Sequence, residues 1–85
     1  MIEKISVVIP TLNRPNLVLR AVNSALSQTY KEIEIIVVID GPDEATIRVL
    51  KQISDTKVRI LALPENVGGS DARNAGVREA KGEWV

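Results

Sequence analysis

The chain has 85 residues, 45% apolar and 26% charged, the balance of a single soluble globular domain spanning 1–85. Lysine plus arginine equals aspartate plus glutamate at 11 each, which removes a broad electrostatic case for nucleic acid or an anionic membrane. There is no cysteine and no histidine, so disulfides, thiolate metal sites, imidazole ligands and histidine acid–base chemistry are excluded from these residues.

The N-terminal Met-Ile-Glu-Lys is not a signal peptide, and no apolar run approaches the ~18 residues of a membrane helix, so a cytoplasmic location is expected. Residues 5–10 are a short run rich in Val and Ile, suited to a strand covered on both faces and ended by Pro10, which cannot donate to a sheet ladder. A polar turn, Thr11-Leu12-Asn13-Arg14, follows, and Pro15 is placed to open a helix. Leu17, Val18, Ala21, Val22, Ala25 and Leu26 then form one helical stripe running to about Gln28. Residues 33–39 make a second, central strand, stopped by the turn Asp40-Gly41-Pro42-Asp43. Thr46, Val49, Leu50 and Ile53 fall at helical spacing, and residues 58–63 form a third strand ended by Pro64. After the loop Glu65-Asn66-Val67-Gly68-Gly69, Ser70 or Asp71 can cap a third helix. Its inner face, Ala72, Ala75, Gly76 and Ala80, is small enough to lie very close to the sheet or to a ligand, and Gly82 can end it. Glu83-Trp84-Val85 reads as the start of a fourth strand, with Trp84 better suited to core than to a site.

The β-α-β-α-β-α-(β) order implies parallel strands and right-handed connections. The turns after the first three strands then share one sheet edge, where open α/β sheets hold their ligands. Asn13, Asp40 and Arg73 are thereby brought toward a common crevice. Asp40 at a strand end can accept a hydrogen bond from a ligand, or from backbone N–H groups of its own Asp-Gly-Pro turn. Thr11 and Asn13 can orient a ligand, or Asn13 can cap the helix. Arg14 and Arg73 can pair with phosphate or stand as solvated surface charges. Gly68-Gly69 lets backbone approach a ligand at a helix start, or is an ordinary flexible turn.

Other chemistries fail on their own residues. No Gly-x-Gly-x-x-Gly follows the first strand, and neither Gly-x-x-x-x-Gly-Lys-Ser/Thr nor Gly-x-Ser-x-Gly occurs. A metal-dependent receiver domain needs two adjacent acids at the second strand's end, and Ile39 precedes Asp40. For a flavodoxin-like binding domain, Leu12-Asn13-Arg14 is a poor phosphate cradle.

Five segments together resemble the N-terminal half of the catalytic domain of family 2 glycosyltransferases: 5–15 (ISVVIPTLNRP), 25–30 (ALSQTY), 33–41 (IEIIVVIDG), 66–76 (NVGGSDARNAG) and 80–84 (AKGEW). The resemblance implies a GT-A fold, here as a three-layer αβα, Rossmann-like parallel sheet of three to four strands. It implies transfer of a sugar from a nucleotide-diphosphate sugar, often a UDP-sugar, to an acceptor hydroxyl, with an inverting outcome. It also implies that Pro10, Thr11 and Asn13 line the nucleotide, that Asp40 bonds the base, and that Arg73 lies near base and phosphates, with Arg14 carried over beside them. Two departures stand out. Leu12 occupies a position where the family usually has an aromatic residue able to stack on the base, and Ile39-Asp40 replaces the usual acid pair. The family's Asp-x-Asp motif, which holds Mn²⁺ or Mg²⁺ and the diphosphate, follows a Gly-Glu-Trp-Val type of segment. A metal is therefore expected in the full-length parent and none in these residues, which alone carry no catalytic residue and no useful turnover. A second expectation, of another class, is a non-catalytic βαβ module that self-associates as a homo-oligomer through the sheet edge left exposed by a short fourth strand.

Overall fold

The computed structural model describes residues 5–27, 32–53, 55–80 and 83–84, the last two as backbone only. The chain runs β1 (Ile5–Thr11), α1 (Pro15–Leu26), β2 (Ile33–Ile39), α2 (Glu44–Lys51), β3 (Val58–Ala62), α3 (Gly69–Glu79) and β4 (Glu83–Trp84). The four strands form one sheet in the order β3-β2-β1-β4, and every pairing is parallel. The expected strand–helix alternation and parallel sheet are both present. Gln28, Thr29 and Tyr30 of the second family-like segment, Gly82 as a helix stop and the Trp84 side chain fall outside the described residues.

The layers follow from the period-two alternation of strand side chains. Ile33, Ile35, Val37 and Ile39 of β2 pack with Val18 and Val22 of α1 and Leu50 of α2 on one face of the sheet. Ile36 and Val38 pack with Val8 and Ala72 on the other face, under α3. Helices thus cover both faces, and all seven residues of β2 are buried. That two-sided burial is why the strand reads as a nearly unbroken apolar run. The small face of α3 is resolved in favour of the sheet. A Cβ on Gly76 would overlap Val8 Cγ1 and come within 2.9 Å of Val38 Cγ2, so only glycine admits this approach.

Several element ends differ from those expected. β1 continues through Pro10 to Thr11, with Pro10 opposite Val38. The ladder to β2 uses the odd-numbered residues, since Ile5 N–H donates to the Glu32 carbonyl and the Thr11 carbonyl accepts from Asp40 N–H. Pro10 is even-numbered, so the N–H it lacks lies on the side turned from β2. The α1 stripe is only partly buried: Val18 and Val22 are in the core, whereas Leu17 is 52% exposed and Ala21 is exposed. α3 begins at Gly69 with Gly68, not Ser70 or Asp71, as its cap, and it stops at Glu79, where Ala80 turns extended (φ −70°, ψ 137°). β3 is an outer strand. Its Arg59 donates to the Glu79 carbonyl (3.2 Å) and pairs with the Glu79 carboxylate (3.3 Å) and Glu34 (3.5 Å), tying the end of α3 to the sheet.

Candidate functional site

The turns after β1, β2 and β3 meet at the carboxyl edge of the sheet, and two aspartates fasten them to one another. Asp40 directly follows β2 and is 6% exposed. Its Oδ1 accepts from Val67 N–H (2.7 Å), its Oδ2 from Gly68 N–H (3.1 Å), and its carbonyl from the Asn66 side-chain amide (3.2 Å). The carboxylate therefore receives backbone N–H groups, but from the loop after β3 rather than from its own turn. Both glycines at this junction have positive φ, +126° at Gly41 and +95° at Gly68. At Gly41 a Cβ would also sit 3.3 Å from the Asn66 nitrogen, so the loops could not close this tightly around a side chain.

Asp43 ties the turns after β1 and β2 together. It caps α2, accepting from Thr46 N–H (3.2 Å) and from the Thr46 hydroxyl (2.6 Å). It also accepts the backbone N–H of Asn13, thirty residues earlier. Asn13 sits in the left-handed region at φ 55°, which asparagine tolerates better than most residues. Burial pushes the Asp43 carboxyl up, but the Thr46 hydroxyl and the Asn13 and Thr46 amides outweigh it and hold the group below its ordinary value of 3.8.

Between the three turns lies an open cleft of about 420 Å³, lined by Pro10, Thr11, Leu12, Arg14, Asp40 and Gly69. A smaller apolar groove of about 210 Å³ shares Pro10, Thr11 and Arg14 with it and runs along Ile9, Leu17, Val18 and Ala21. This groove accounts for the exposed half of the α1 stripe. Of the residues singled out in the sequence, Pro10, Thr11, Arg14 and Asp40 are together in the cleft wall. Asn13 and Arg73 are exposed and do not line it. Nor does Asn13 cap α1: the cap is Arg14, with no side-chain hydrogen bond to the helix. Sequence reasoning missed Asp43. Its signal was an Asp placed three residues before Thr46 at a helix start, the spacing of a side-chain cap.

Among the described residues no three acidic side chains converge as a metal site. The two carboxylates at this edge already face N–H and O–H donors. Asp40 and Asp43 thus serve as hydrogen-bond acceptors that hold the turns together. Among the described residues, too, no helix is long and apolar enough to cross a membrane.

The family model for glycosyl transferase family 2 matches residues 6–85. The chain is 40% identical over 84 residues to the glycosyltransferase GlyA of Streptococcus pneumoniae, covering 98% of the chain and 12% of that protein. It is 36% identical over 84 residues to the succinoglycan biosynthesis protein ExoO of Rhizobium meliloti, covering 99% of the chain and 24% of ExoO. The chain thus spans well under half the length of these relatives. Its backbone matches a mannosyltransferase of Pyrobaculum calidifontis, solved with GDP-Man and Mn²⁺, at a TM-score of 0.80 and 23% identity, over 96% of this chain and 26% of that one. The structural match gives the GT-A fold, and the family model, matched across nearly the whole chain, gives the affiliation: this chain belongs to glycosyltransferase family 2.

Proposed function

We propose that residues 1–85 form the nucleotide-binding part of an enzyme that transfers a sugar from a nucleotide-diphosphate sugar to an acceptor hydroxyl. The observation that carries this reading is the convergence of three turns on one cleft, lined by Pro10, Thr11, Leu12, Arg14, Asp40 and Gly69, at the carboxyl edge of a parallel sheet. The Pyrobaculum mannosyltransferase of the same fold was solved with a nucleotide sugar and Mn²⁺.

Each lining group has a role in this reading. Asp40 is fixed by the Val67 and Gly68 amides, and a carboxylate has about four lone-pair positions, so it keeps capacity to accept one more N–H from a base. Because the acceptor is already held, binding requires little reordering. Leu12 supplies apolar contact to the base plane, and the Thr11 hydroxyl supplies a donor or acceptor. The Arg14 guanidinium, exposed at the cleft wall, pairs with the diphosphate. Gly69 lets the ligand approach the backbone, since nothing stands within 4 Å of the Cβ it lacks. Asn13 and Arg73 belong to this reading only as residues flanking the cleft.

In the parent reaction the acceptor oxygen bonds to the anomeric carbon as the bond from that carbon to the β-phosphate oxygen breaks. The nucleoside diphosphate leaves with the electron pair, and the hydroxyl proton passes to a general base. A cation neutralising the diphosphate would supply electrostatic stabilisation of the leaving group.

The test is calorimetric titration of the chain with uridine diphosphate and guanosine diphosphate, beside uridine and inorganic pyrophosphate as half-ligands. Binding of at least one of the two nucleoside diphosphates in the millimolar range or tighter, weakened by Asp40→Asn and Arg14→Ala, is expected. Absence of heat for all four at millimolar concentration would remove the proposal.

A further inference from the structure

We propose that Asp43 is a positioning residue for the cleft, holding the turn after β1 in the shape that carries Leu12 and Arg14 into the cleft wall. The inference rests on reading that cleft as a nucleotide site. Asp43 does not line the cleft, yet its carboxylate spans the two elements that shape it. One side of the contact is Thr46, whose N–H and hydroxyl fix the carboxylate at the start of α2. The other is the Asn13 N–H. Asn13 lies between Leu12 and Arg14, two lining residues, and its left-handed backbone (φ 55°) reverses the chain between them. A left-handed turn at a non-glycine residue persists only when its surroundings hold it. The Asn13 side chain is exposed and α1 has no side-chain cap, so the buried Asp43 carboxylate is the acceptor that fixes the turn from within the protein. The bond joins a charged acceptor to an amide, and such bonds are the stronger class.

A cap that serves only α2 and a carboxylate that also shapes the cleft differ in what they disturb. Asp43→Asn removes an acceptor position and the charge, whereas Thr46→Val removes the hydroxyl contact and leaves the Asn13 bond. Three readouts on the 85-residue chain separate the cases: thermal stability, the Asn13 amide signal in nitrogen–proton spectra, and affinity for uridine diphosphate and guanosine diphosphate. In Asp43→Asn the Asn13 amide is expected to move upfield and exchange faster, and the dissociation constant to rise about tenfold, the scale of one lost charge-assisted hydrogen bond. In Thr46→Val the melting temperature falls while the dissociation constant stays within twofold. The proposal is overturned if both variants weaken binding in proportion to lost stability, or if the Asn13 amide is unchanged in Asp43→Asn. Should Asp43→Asn not fold, the unmutated chain decides: an Asn13 amide exchanging as fast as other surface-turn amides overturns the proposal, and a protected one supports it. If the unmutated chain binds neither nucleotide, the nucleotide reading fails separately, and the Asn13 amide still reports whether Asp43 holds the turn.

Discussion

Leu12 lines the cleft, at a position where the resemblance to family 2 glycosyltransferases implies an aromatic ring, and under the proposed reading that difference has a measurable consequence. Base–aromatic stacking is worth about 1–3 kcal/mol per base, while an aliphatic side chain offers only apolar contact. Leu12→Tyr is therefore expected to tighten nucleoside diphosphate binding by roughly five- to fiftyfold without altering the fold, measured by calorimetry. No gain would mean that the base does not lie over this residue. Gly76 is the counterpart on the inner side. Replacing it with alanine raises helix propensity by about 1 kcal/mol. The added methyl, however, would meet Val8 and Val38, both β-branched and stiff about χ1. Overpacking of this kind typically costs about 1–3 kcal/mol. A net loss of about 1 kcal/mol, or several degrees in melting temperature, is expected for Gly76→Ala, and a rise would show that α3 can move off the sheet.

Among the elements, α2 carries the clearest pH signature. Its cap Asp43 is held below 3.8 in the folded chain by the Thr46 hydroxyl and by the Asn13 and Thr46 amides, which outweigh burial. The folded state thus binds this proton less readily than the unfolded state. Its stabilising contribution is complete above the ordinary carboxylate range and is lost as pH falls through the depressed folded value. Urea midpoints are expected to hold near neutral pH and to fall below about pH 4. Asp43→Asn should lower stability by about 1–2 kcal/mol at pH 7 and flatten that acid limb. An unchanged limb would mean that other carboxylates carry it. At the other end of the sheet, Arg59 connects β3, the buried Glu34 and the last turn of α3, which secures a helix whose inner face is too small to bury much apolar area.

For the molecule as a whole, protection is expected to be graded outward from β2. That strand is buried along its full length and is flanked by β1 and β3. β3, at the sheet's outer edge, has only partly buried and exposed positions, with Ile60 38% exposed. A chain of this size buries only roughly 60–65% of its unfolded surface, so its global stability is modest and local opening lies close beneath it. Native-state hydrogen exchange should find the slowest amides in β2 and the adjoining part of β1, with β3 and α3 faster. Equal protection in β3 and β2 would indicate that the outer edge is covered. The self-associating alternative uses the edge left open by the short β4, which pairs only with Ile5 and Ser6 of β1. It would instead slow exchange of the later β1 amides that face away from β2, and light scattering would then report a dimer.

The order of elements, the parallel sheet, the central place of β2 and the clustering of three turns at one edge were all legible in the sequence. Each depends on local chemistry: apolar runs rich in Val and Ile, proline and Asp-Gly punctuation, and helical spacing, which together admit few arrangements of a βαβ chain. Packing decided the rest. The sequence could not tell that Pro10 lies within β1, because that depends on which neighbour its missing N–H faces. It could not tell that Asp40 grips the loop after β3 rather than its own turn, or that Asp43 reaches back thirty residues to Asn13, because each bond joins segments brought together only by the closed sheet. Nor could it tell which polar residues line the cleft: Arg14 does and Arg73 does not, because the direction of a side chain at the end of a helix is set by how that helix sits on the strands beneath it.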